Sequence, residues 1–445
     1  MYPARSILLA VFTLLLAACG GGGGGGDSSS SPPAAATDEN PAADYAGTPF
    51  TVVSRIIGLA SQFLPEVRLT ELMQRDGVWY GVSRFRAGNI TLGSLCFQAL
   101  NRTRITTCDG FPMGDSATPG AVSSFLLDPQ TNGAVFHTVV TPPELGGADT
   151  QHRMTLTPMV AGWASATYAG AQKPRLALVA SKYFVLMDAF VGGLGSGPMM
   201  SEVDYGARYL STGLSFPTPQ PIDTALFGLA NLHTPAYPSV MDFDFATHDG
   251  RNGFYAFTSR PDTKGPLSGG SVAGALNLWR HDGTSLAPMA SLPLTAVAKP
   301  INTDTISYWV AHGVRLVRNA AQPTRPFIVV MNETQGTLEV YRHDGTSTLQ
   351  RLASGVVPPA GFSFARAPMA AAGSTLYLAA GKSVYQLVGN TPTVMAGDHF
   401  RQGGSLSPYT DVDVLASDGT ALFIGISREF TDYRHTVADV LRLPL

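Results

Sequence analysis

Short apolar runs alternate with turn-forming residues along the chain from Thr48 onward, and helical spacing of apolar positions is scarce. In Met241-Asp242-Phe243-Asp244-Phe245, polar and apolar residues strictly alternate, which is typical of a strand with two different faces. The runs are separated by Gly, Pro, Asn and Asp, and the chain holds 48 glycines and 32 prolines. Because these residues favour turns, the pattern predicts an all-β domain of short strands.

One motif occurs twice, as Leu-Trp-Arg-His-Asp-Gly-Thr-Ser at 278–285 and as Val-Tyr-Arg-His-Asp-Gly-Thr-Ser at 340–347. An Asp-Gly pair suits a tight primed turn, so each copy is interpreted as a strand that folds back on itself. A weaker third copy lies at 384–390. The aromatic position recurs at intervals of roughly 40 to 60 residues, which indicates a repeated four-stranded unit. We expect His281 and His343, which directly precede the turns, to lie at the surface.

Grouping the runs gives seven such units, of which the seventh has only three predicted strands before Leu445. At the front of the domain, Phe50–Ile57 has a strand pattern but no predicted partner. A circular β-propeller accounts for both observations, because the N-terminal strand would complete the last blade and cover its open edge. We therefore predict a propeller of seven four-stranded blades, with six or eight blades as alternatives. A pair of β-sandwiches or a β-solenoid is the competing architecture.

The Leu-Trp-Arg-His-Asp-Gly-Thr run resembles the Leu-Trp-x-x-Asp-Gly-Thr repeats of some bacterial propeller-like surface proteins. The resemblance covers two predicted blades clearly and a third weakly. It implies a propeller fold, and it does not imply membership of a functional family.

The N-terminus has the features of an export signal. Arg5 provides a positive charge, residues 7–16 form a short apolar run, and Leu16-Ala17-Ala18-Cys19 follows. This segment resembles a bacterial lipoprotein signal, which implies removal of residues 1–18 and attachment of lipid, including palmitate, at Cys19. In the enterobacterial pattern, Gly20 after the cysteine implies delivery to the outer membrane. The alternative is an ordinary secretory signal with a chance cysteine.

The segment after Cys19 is rich in Gly, Ser, Pro and Ala. Such a composition cannot form a core, so residues 19–47 are predicted to be a flexible tether and residues 48–445 the propeller domain. The other two cysteines, Cys96 and Cys108, flank a predicted hairpin that turns near residues 101–103. In an exported protein we expect them to form a disulfide. The alternative is two free or metal-binding thiols.

Charged residues make up 14% of the chain, and the net charge is −3 without a basic stripe. Nucleic-acid binding depends on clustered Lys and Arg, so the composition argues against a nucleic-acid partner. We expect a monomer whose partners are the membrane, through the lipid anchor, and an envelope protein or glycan.

Two pairs of carboxylates stand out among the predicted strands. Asp242 and Asp244 share one strand face, and Asp411 and Asp413 share another. On the innermost strands of two blades, these four residues are candidate ligand-binding groups in a central channel, and we hypothesise that the channel binds a cation or a cationic ligand. The alternative is that they hydrogen-bond to the backbone of neighbouring blades or face water. No other cofactor is identified.

Four aromatic residues could stack on sugars or a planar cofactor, but packing between adjacent blades is the more common use of such side chains; they are Trp79, Trp279, Tyr341 and Tyr385.

The sequence contains neither a Gly-x-Ser-x-Gly nor a His-Glu-x-x-His motif, and no catalytic residue is assigned. This favours a lipid-anchored binding or scaffolding module of the cell envelope. The alternative is a propeller enzyme of the lactonase, glycan lyase or hydrolase, or quinone-dependent dehydrogenase type, because residues scattered among blades leave little trace in a sequence.

Overall fold

A computed structural model provides the fold. It describes the following residues: 41–58, 65–75, 77–87, 93–101, 104–105, 110–112, 122–128, 133–139, 151–157, 164–169, 171–179, 182–190, 196–203, 220–221, 239–247, 253–260, 271–282, 286–298, 312–322, 324–364, 367–396, 411–429 and 436–445. Residues 41–445 belong to one compact unit. Residues 1–40, with the predicted signal, Cys19 and most of the predicted tether, lie outside the described part.

The described strands form seven small sheets, numbered here by chain order. The first sheet contains β2 (Pro65–Arg75), β3 (Val78–Ala87), β4 (Gly93–Ala99) and β6 (Gly110–Pro112). The second contains β7 (Val122–Asp128), β8 (Gly133–Val139), β9 (Gln151–Thr157) and β10 (Ala164–Ala169). The third contains β11 (Ala171–Val179), β12 (Lys182–Phe190), β13 (Ser196–Val203) and β14 (Gln220–Pro221).

The next three sheets follow the same plan. The fourth contains β15 (Ser239–Thr247), β16 (Gly253–Arg260), β17 (Ser271–His281) and β18 (Leu286–Ala298). The fifth contains β19 (His312–Val317), β20 (Phe327–Asn332), β21 (Thr337–His343) and β22 (Leu349–Val356). The sixth contains β23 (Met369–Ala372), β24 (Thr375–Ala380), β25 (Ser383–Val388) and β26 (Thr391–Ala396).

The seventh sheet joins both ends of the domain. Its strands β27 (Val412–Ser417), β28 (Ala421–Glu429) and β29 (Thr436–Pro444) are followed by β1 (Thr51–Gly58) and then by β5 (Arg104–Ile105). Strand β1 runs antiparallel to β29, with Thr51 opposite Arg442 and Gly58 opposite Thr436. The N-terminal strand therefore covers the edge that β29 would otherwise expose.

The prediction of an all-β domain is confirmed, because the described strands form small sheets that are antiparallel apart from the β1–β5 pair. A short 3-10 helix at Ala43–Tyr45 precedes β1. Within the described residues, no helix has the length and hydropathy needed to cross a bilayer. A succession of small four-stranded sheets is a propeller-like arrangement.

The two-residue turn predicted for the repeated motif is wrong in its second copy. Strand β21 ends at His343 and β22 begins at Leu349, so the loop is longer than a two-residue turn. Asp344 makes the longer loop stable, because its Oδ1 accepts hydrogen bonds from the backbone N–H groups of Thr346, Ser347 and Thr348. Gly345 has a φ of +93°, a conformation that glycine adopts without a steric cost.

The hairpin around the cysteines differs from the predicted one. Cys96 on β4 lies opposite Gly110 on β6, so the two arms of the hairpin pair as expected for facing strands. The segment between them does not simply turn, because Arg104 and Ile105 form β5 and pair in parallel with Arg55 and Ile56 of β1. Cys108 and the side chain of Cys96 lie outside the described part, and the disulfide stays a prediction.

Apolar residues fill the spaces between neighbouring sheets. Phe254 and Leu278 of the fourth sheet pack with Val314 and Ile328 of the fifth. Other cores join the fifth and sixth sheets, the sixth and seventh sheets, and the seventh and first sheets. The core between the seventh and first sheets shows that the end of the chain packs against the beginning of the domain.

The first strands of the sheets also contact one another in succession. Strand β2 contacts β7, β7 contacts β11, β11 contacts β15, β15 contacts β19, β19 contacts β23, β23 contacts β27, and β27 contacts β2. The succession of contacts between first strands therefore ends at β2, the strand where it began.

Candidate functional site

The predicted ligand-binding aspartates lie on or next to the first strands of two sheets. Asp242 and Asp244 are on β15, and Asp413 is on β27 with Asp411 directly before it. Asp411 is exposed, whereas Asp244 is 7% exposed. The side chain of Asp242 is outside the described part.

Asp244 connects the fourth sheet to the fifth. Its Oδ2 accepts a hydrogen bond of 2.8 Å from the backbone N–H of Leu316 on β19. Within the described residues, β15 and β19 are not paired with each other, so a buried carboxylate that binds a backbone N–H across this junction satisfies both groups. This contact with a neighbouring sheet is the alternative that the sequence left open for the carboxylate pairs.

Asp413 occupies the corresponding place between the seventh and first sheets. Its carboxylate accepts hydrogen bonds from the Ser427 hydroxyl on β28 and from the backbone N–H of Leu69 on β2. Burial raises the pKa of Asp413 to about 6, with a small contribution from the charge of Asp411, although both hydrogen bonds and the charge of Arg68 act in the opposite direction. The carboxyl group therefore changes its charge near neutral pH, unlike an ordinary aspartate.

Asp244 and Asp413 are equivalent in position and in contact, since each binds a backbone N–H on the first strand of the next sheet. In the described part of the chain, no group of three or more His, Cys, Asp or Glu side chains is arranged to hold a metal ion. Binding of a cation or cationic ligand by the four aspartates stays a prediction.

A cluster that the sequence analysis missed lies in the seventh sheet. The Arg55 side chain on β1 has no exposed surface, and its Nε and Nη2 donate hydrogen bonds of 2.6 and 2.9 Å to Oδ1 and Oδ2 of Asp439 on β29. Its Nη1 donates a hydrogen bond of 2.6 Å to Oδ2 of Asp44. Oδ2 of Asp439 also accepts a hydrogen bond of 2.5 Å from the hydroxyl of Tyr45.

The cluster keeps a buried cation fully paired. Burial alone would lower the pKa of Arg55, but the hydrogen bonds and charges of Asp439 and Asp44 outweigh it and raise the pKa above its usual value. A signal for this cluster is present in the sequence, because Arg55 lies in a predicted strand whose other residues are mostly apolar, including Val52, Val53, Ile56 and Ile57. Its partners, however, are remote in sequence and could not be identified from one chain.

The surface prediction for the two motif histidines is wrong. His281 is 5% exposed, and His343 is fully buried. The Nδ1 of His343 accepts a hydrogen bond of 3.1 Å from the N–H of Gly345. The buried ring therefore stabilises the loop that follows it. Burial lowers the pKa of His343, assisted by the charge of Arg325 and opposed by that of Asp344, which favours the neutral imidazole that can accept this bond.

Three of the four conspicuous aromatics pack inside the protein. Trp79 of the first sheet lies against Phe423 of the seventh, with ring centroids 4.0 Å apart. Tyr341 belongs to the core between the fourth and fifth sheets, and Trp279 is 6% exposed. Trp79 and Tyr341 therefore pack between sheets, whereas the Trp279 ring lies near Phe257 of its own sheet, and none of the three is an open stacking platform.

No family model matches the chain, and no curated protein matches its sequence. Among solved structures, the chain is similar to prolyl oligopeptidase B from Galerina marginata, with 11% identity and a TM-score of 0.39 over 82% of this chain. It spans about half of that enzyme's length, 49%. It is also similar to an exo-β-1,3-galactanase from Phanerochaete chrysosporium, with 10% identity and a TM-score of 0.33 over 70% of this chain and 77% of the other. A glucose dehydrogenase has 14% identity and a TM-score of 0.34, over 72% of this chain and 95% of the other.

Proposed function

We propose that the seven sheets are the blades of a seven-bladed β-propeller that β1 closes. Two observations support the proposal: the first strands contact one another in a succession that returns to β2, and β1 pairs with β29 along most of its length. In such a ring β1 completes the last blade and covers the edge of β29. An electron-microscopy or crystal structure of the domain tests the blade number, and a reconstruction with six or eight blades would contradict it.

We further propose that this propeller is a lipid-anchored binding or scaffolding module of the cell envelope, with the outer membrane as the favoured site. The observation that carries this proposal is the position of the first packed residues. Pro41 and Tyr45, which belong to the last residues of the predicted tether, are buried in the compact unit, and residues 20–40 of the sequence separate them from Cys19. Lipid at Cys19 would therefore hold a folded domain by its N-terminal end.

Metabolic labelling with an alkyne-tagged fatty acid tests the anchor. We expect the full chain to incorporate the label and to sediment with outer membranes, and the Cys19→Ser variant to do neither. The Cys96→Ser/Cys108→Ser variant is the matched control, because it removes the other two cysteines and should retain the label. Labelling of Cys19→Ser would contradict the assignment.

Binding activity needs a separate test. We expect photo-crosslinkers at exposed positions such as Asp411 and Arg280 to capture one envelope protein or glycan in intact cells. The captured partner, once purified, should then bind the Cys19→Ser protein, because the lipid anchor determines only where the protein is located in the cell. Failure of the purified components to associate would contradict the binding module.

One observation favours the second candidate, a propeller enzyme. The Asp413 carboxyl has a pKa of about 6 and lies beside Arg68 and Asp411, and raised pKa values are common in catalytic acids and bases. Turnover of a lactone, a polysaccharide or an alcohol with an added quinone would support this candidate. The activity should then be lost in Asp413→Asn and retained in Asp244→Asn.

A further inference from the structure

Residues 41–50 pack into the domain, although residues 41–47 belong to the predicted tether. This segment, called the N-terminal plug below, contains the 3-10 helix Ala43–Tyr45. The N–H and the hydroxyl of Thr48 both donate to the carbonyl of Tyr45, at 3.1 and 2.6 Å. Phe50 N–H donates to Oγ1 of Thr48. These hydrogen bonds fix the local backbone conformation between Tyr45 and Phe50.

The plug fills a space between the sixth and seventh sheets. Tyr45 is 2% exposed and Phe50 is 7% exposed, and both belong to the apolar core that joins these sheets. On the sixth sheet this core contains the small side chains of Ala370, Ala372 and Ala379. Because protein cores are filled at nearly constant density, alanines at such positions need large neighbours. Tyr45 and Phe50 are two of the large side chains of this core.

The plug also completes the polar cluster of the seventh sheet. Asp44 and Tyr45 provide two of the partners of the Arg55–Asp439 pair, whereas Arg55 lies on β1 and Asp439 on β29. If the plug left its place, Arg55 Nη1 would lose the Asp44 carboxylate and Asp439 would lose the Tyr45 hydroxyl. A buried ion pair that loses partners is destabilised, so the β1–β29 pairing would weaken at the same time.

We infer that the N-terminal plug is a conformational coupling element, whose docking between the sixth and seventh sheets controls the order of strands β1 and β29. The docked plug gives an ordered seventh sheet. Undocking opens an alanine-lined space and loosens the pairing of the N-terminal strand. The plug contains the last residues of the predicted tether, 41–47, and β1 follows it directly in the chain. This inference does not depend on lipidation of Cys19.

Hydrogen–deuterium exchange of the full-length protein tests the coupling. In Tyr45→Ala we expect amides in β1 and β29 to exchange at least about tenfold faster, while amides in β20 and β21 of the fifth sheet keep their rates. Tyr45→Phe removes only the hydroxyl, and it should give a smaller increase confined to the same two strands. The smaller change keeps the test valid if Tyr45→Ala folds poorly.

Tyr341→Phe is the matched control, because the hydroxyl of buried Tyr341 also binds a carboxylate, that of Glu339 in the fifth sheet. It should change exchange in β21 and leave β1 and β29 unaffected.

A second readout is limited chymotrypsin digestion, in which cleavage after Tyr45 reports undocking. We expect Asp44→Asn and Asp439→Asn to accelerate this cleavage several-fold.

Either of two hydrogen-exchange results would overturn the inference. In the first, Tyr45→Ala and Tyr45→Phe leave exchange in β1 and β29 unchanged. In the second, exchange rises equally in all sheets, which would mean that the plug contributes only to global stability. Cleavage after Tyr45 at the wild-type rate in both aspartate variants would also contradict it.

Discussion

Arg55 illustrates how single residues set the stability of this domain. A fully buried guanidinium is tolerated only because carboxylates and a hydroxyl occupy its surroundings. Removing one charge of such a pair leaves the other uncompensated in a medium of low polarity, which costs far more than the loss of an exposed ion pair.

Asp439→Asn tests this point. The substitution keeps the shape of the side chain and removes its charge, so we expect the free energy of unfolding to fall by about 3 kcal/mol. Urea denaturation of the full-length protein gives the value. Asp411→Asn is the control, since Asp411 is exposed and its loss should change stability little. Equal effects of the two substitutions would show that the Arg55 pair is not stabilising.

Asp413 gives stability a specific pH dependence. Because its pKa is raised from 3.8 to about 6, the protonated carboxyl is the form that the fold favours. The stabilisation that the protonated Asp413 carboxyl gives the fold is fully present below about pH 4 and is lost as the pH rises through about 6. Relative to Asp413→Asn, the wild-type protein should therefore lose stability over this range, by no more than about 3 kcal/mol. Thermal unfolding as a function of pH measures the difference.

Two neighbours of Asp413 should move this transition in opposite directions. The charge of Asp411 raises the pKa of Asp413, so Asp411→Asn should shift the transition to lower pH. The charge of Arg68 lowers the pKa, so Arg68→Gln should shift it to higher pH. A transition that persists in Asp413→Asn would assign the pH dependence to another group.

At the scale of elements, turns between strands depend on glycine for two different reasons. Gly419, between β27 and β28, has a φ of +92°, and a Cβ there would lie 3.0 Å from the Cβ of Ala321. Gly336 also has a positive φ, of +65°, but the space around it is open. Comparing the two positions separates backbone strain from steric overlap.

We expect Gly336→Ala to lower the free energy of unfolding by about 1 kcal/mol through backbone strain. Gly419→Ala should cost about 1–3 kcal/mol more, because Ala321 must also move. Chemical denaturation of both variants provides the comparison. Equal losses of stability in the two variants would indicate that the β19–β20 loop moves at Ala321 without a measurable cost in free energy.

The strands themselves were predictable, whereas several of their connections were not. Alternation of polar and apolar residues predicted β15, and the repeated motif predicted the β17–β18 and β21–β22 hairpins. The Asp344 loop was predicted too short, because its stability comes from one carboxylate that binds three N–H groups. Strand β5 has only two residues and leaves no pattern in the sequence.

At the scale of the whole molecule, the sequence indicated that the N-terminal strand pairs with the last sheet only because that strand had no other partner and the last sheet lacked a fourth strand. The contacts that decide its place are made by residues far apart in the chain, such as Tyr45 with Asp439 and Trp79 with Phe423. One sequence shows that a buried Arg55 needs a partner, but it does not show which carboxylate provides it. The two aspartates between sheets were found by strand alternation, and their backbone partners Leu316 and Leu69 carry no side-chain signal.

The junction of the first and seventh sheets permits a direct test of how the two ends of the domain meet. A Cβ on Gly425 of β28 would overlap Val414 and lie 2.8 Å from Cδ1 of Leu69 on β2. Gly425→Ala should therefore lower the free energy of unfolding by about 1–3 kcal/mol. Leu69→Ala creates room at the same place, so the double variant should be more stable than the sum of the two single changes predicts, by about 1 kcal/mol.

Leu338 of the fifth sheet provides the matched comparison, because it is as buried as Leu69 and belongs to a different core. Gly425→Ala combined with Leu338→Ala should be additive within about 0.5 kcal/mol. Coupling of Gly425 with Leu69 but not with Leu338 requires that the first and seventh sheets touch in solution. Additivity in both pairs would place β2 away from β28, and closure of the ring would then have to be abandoned.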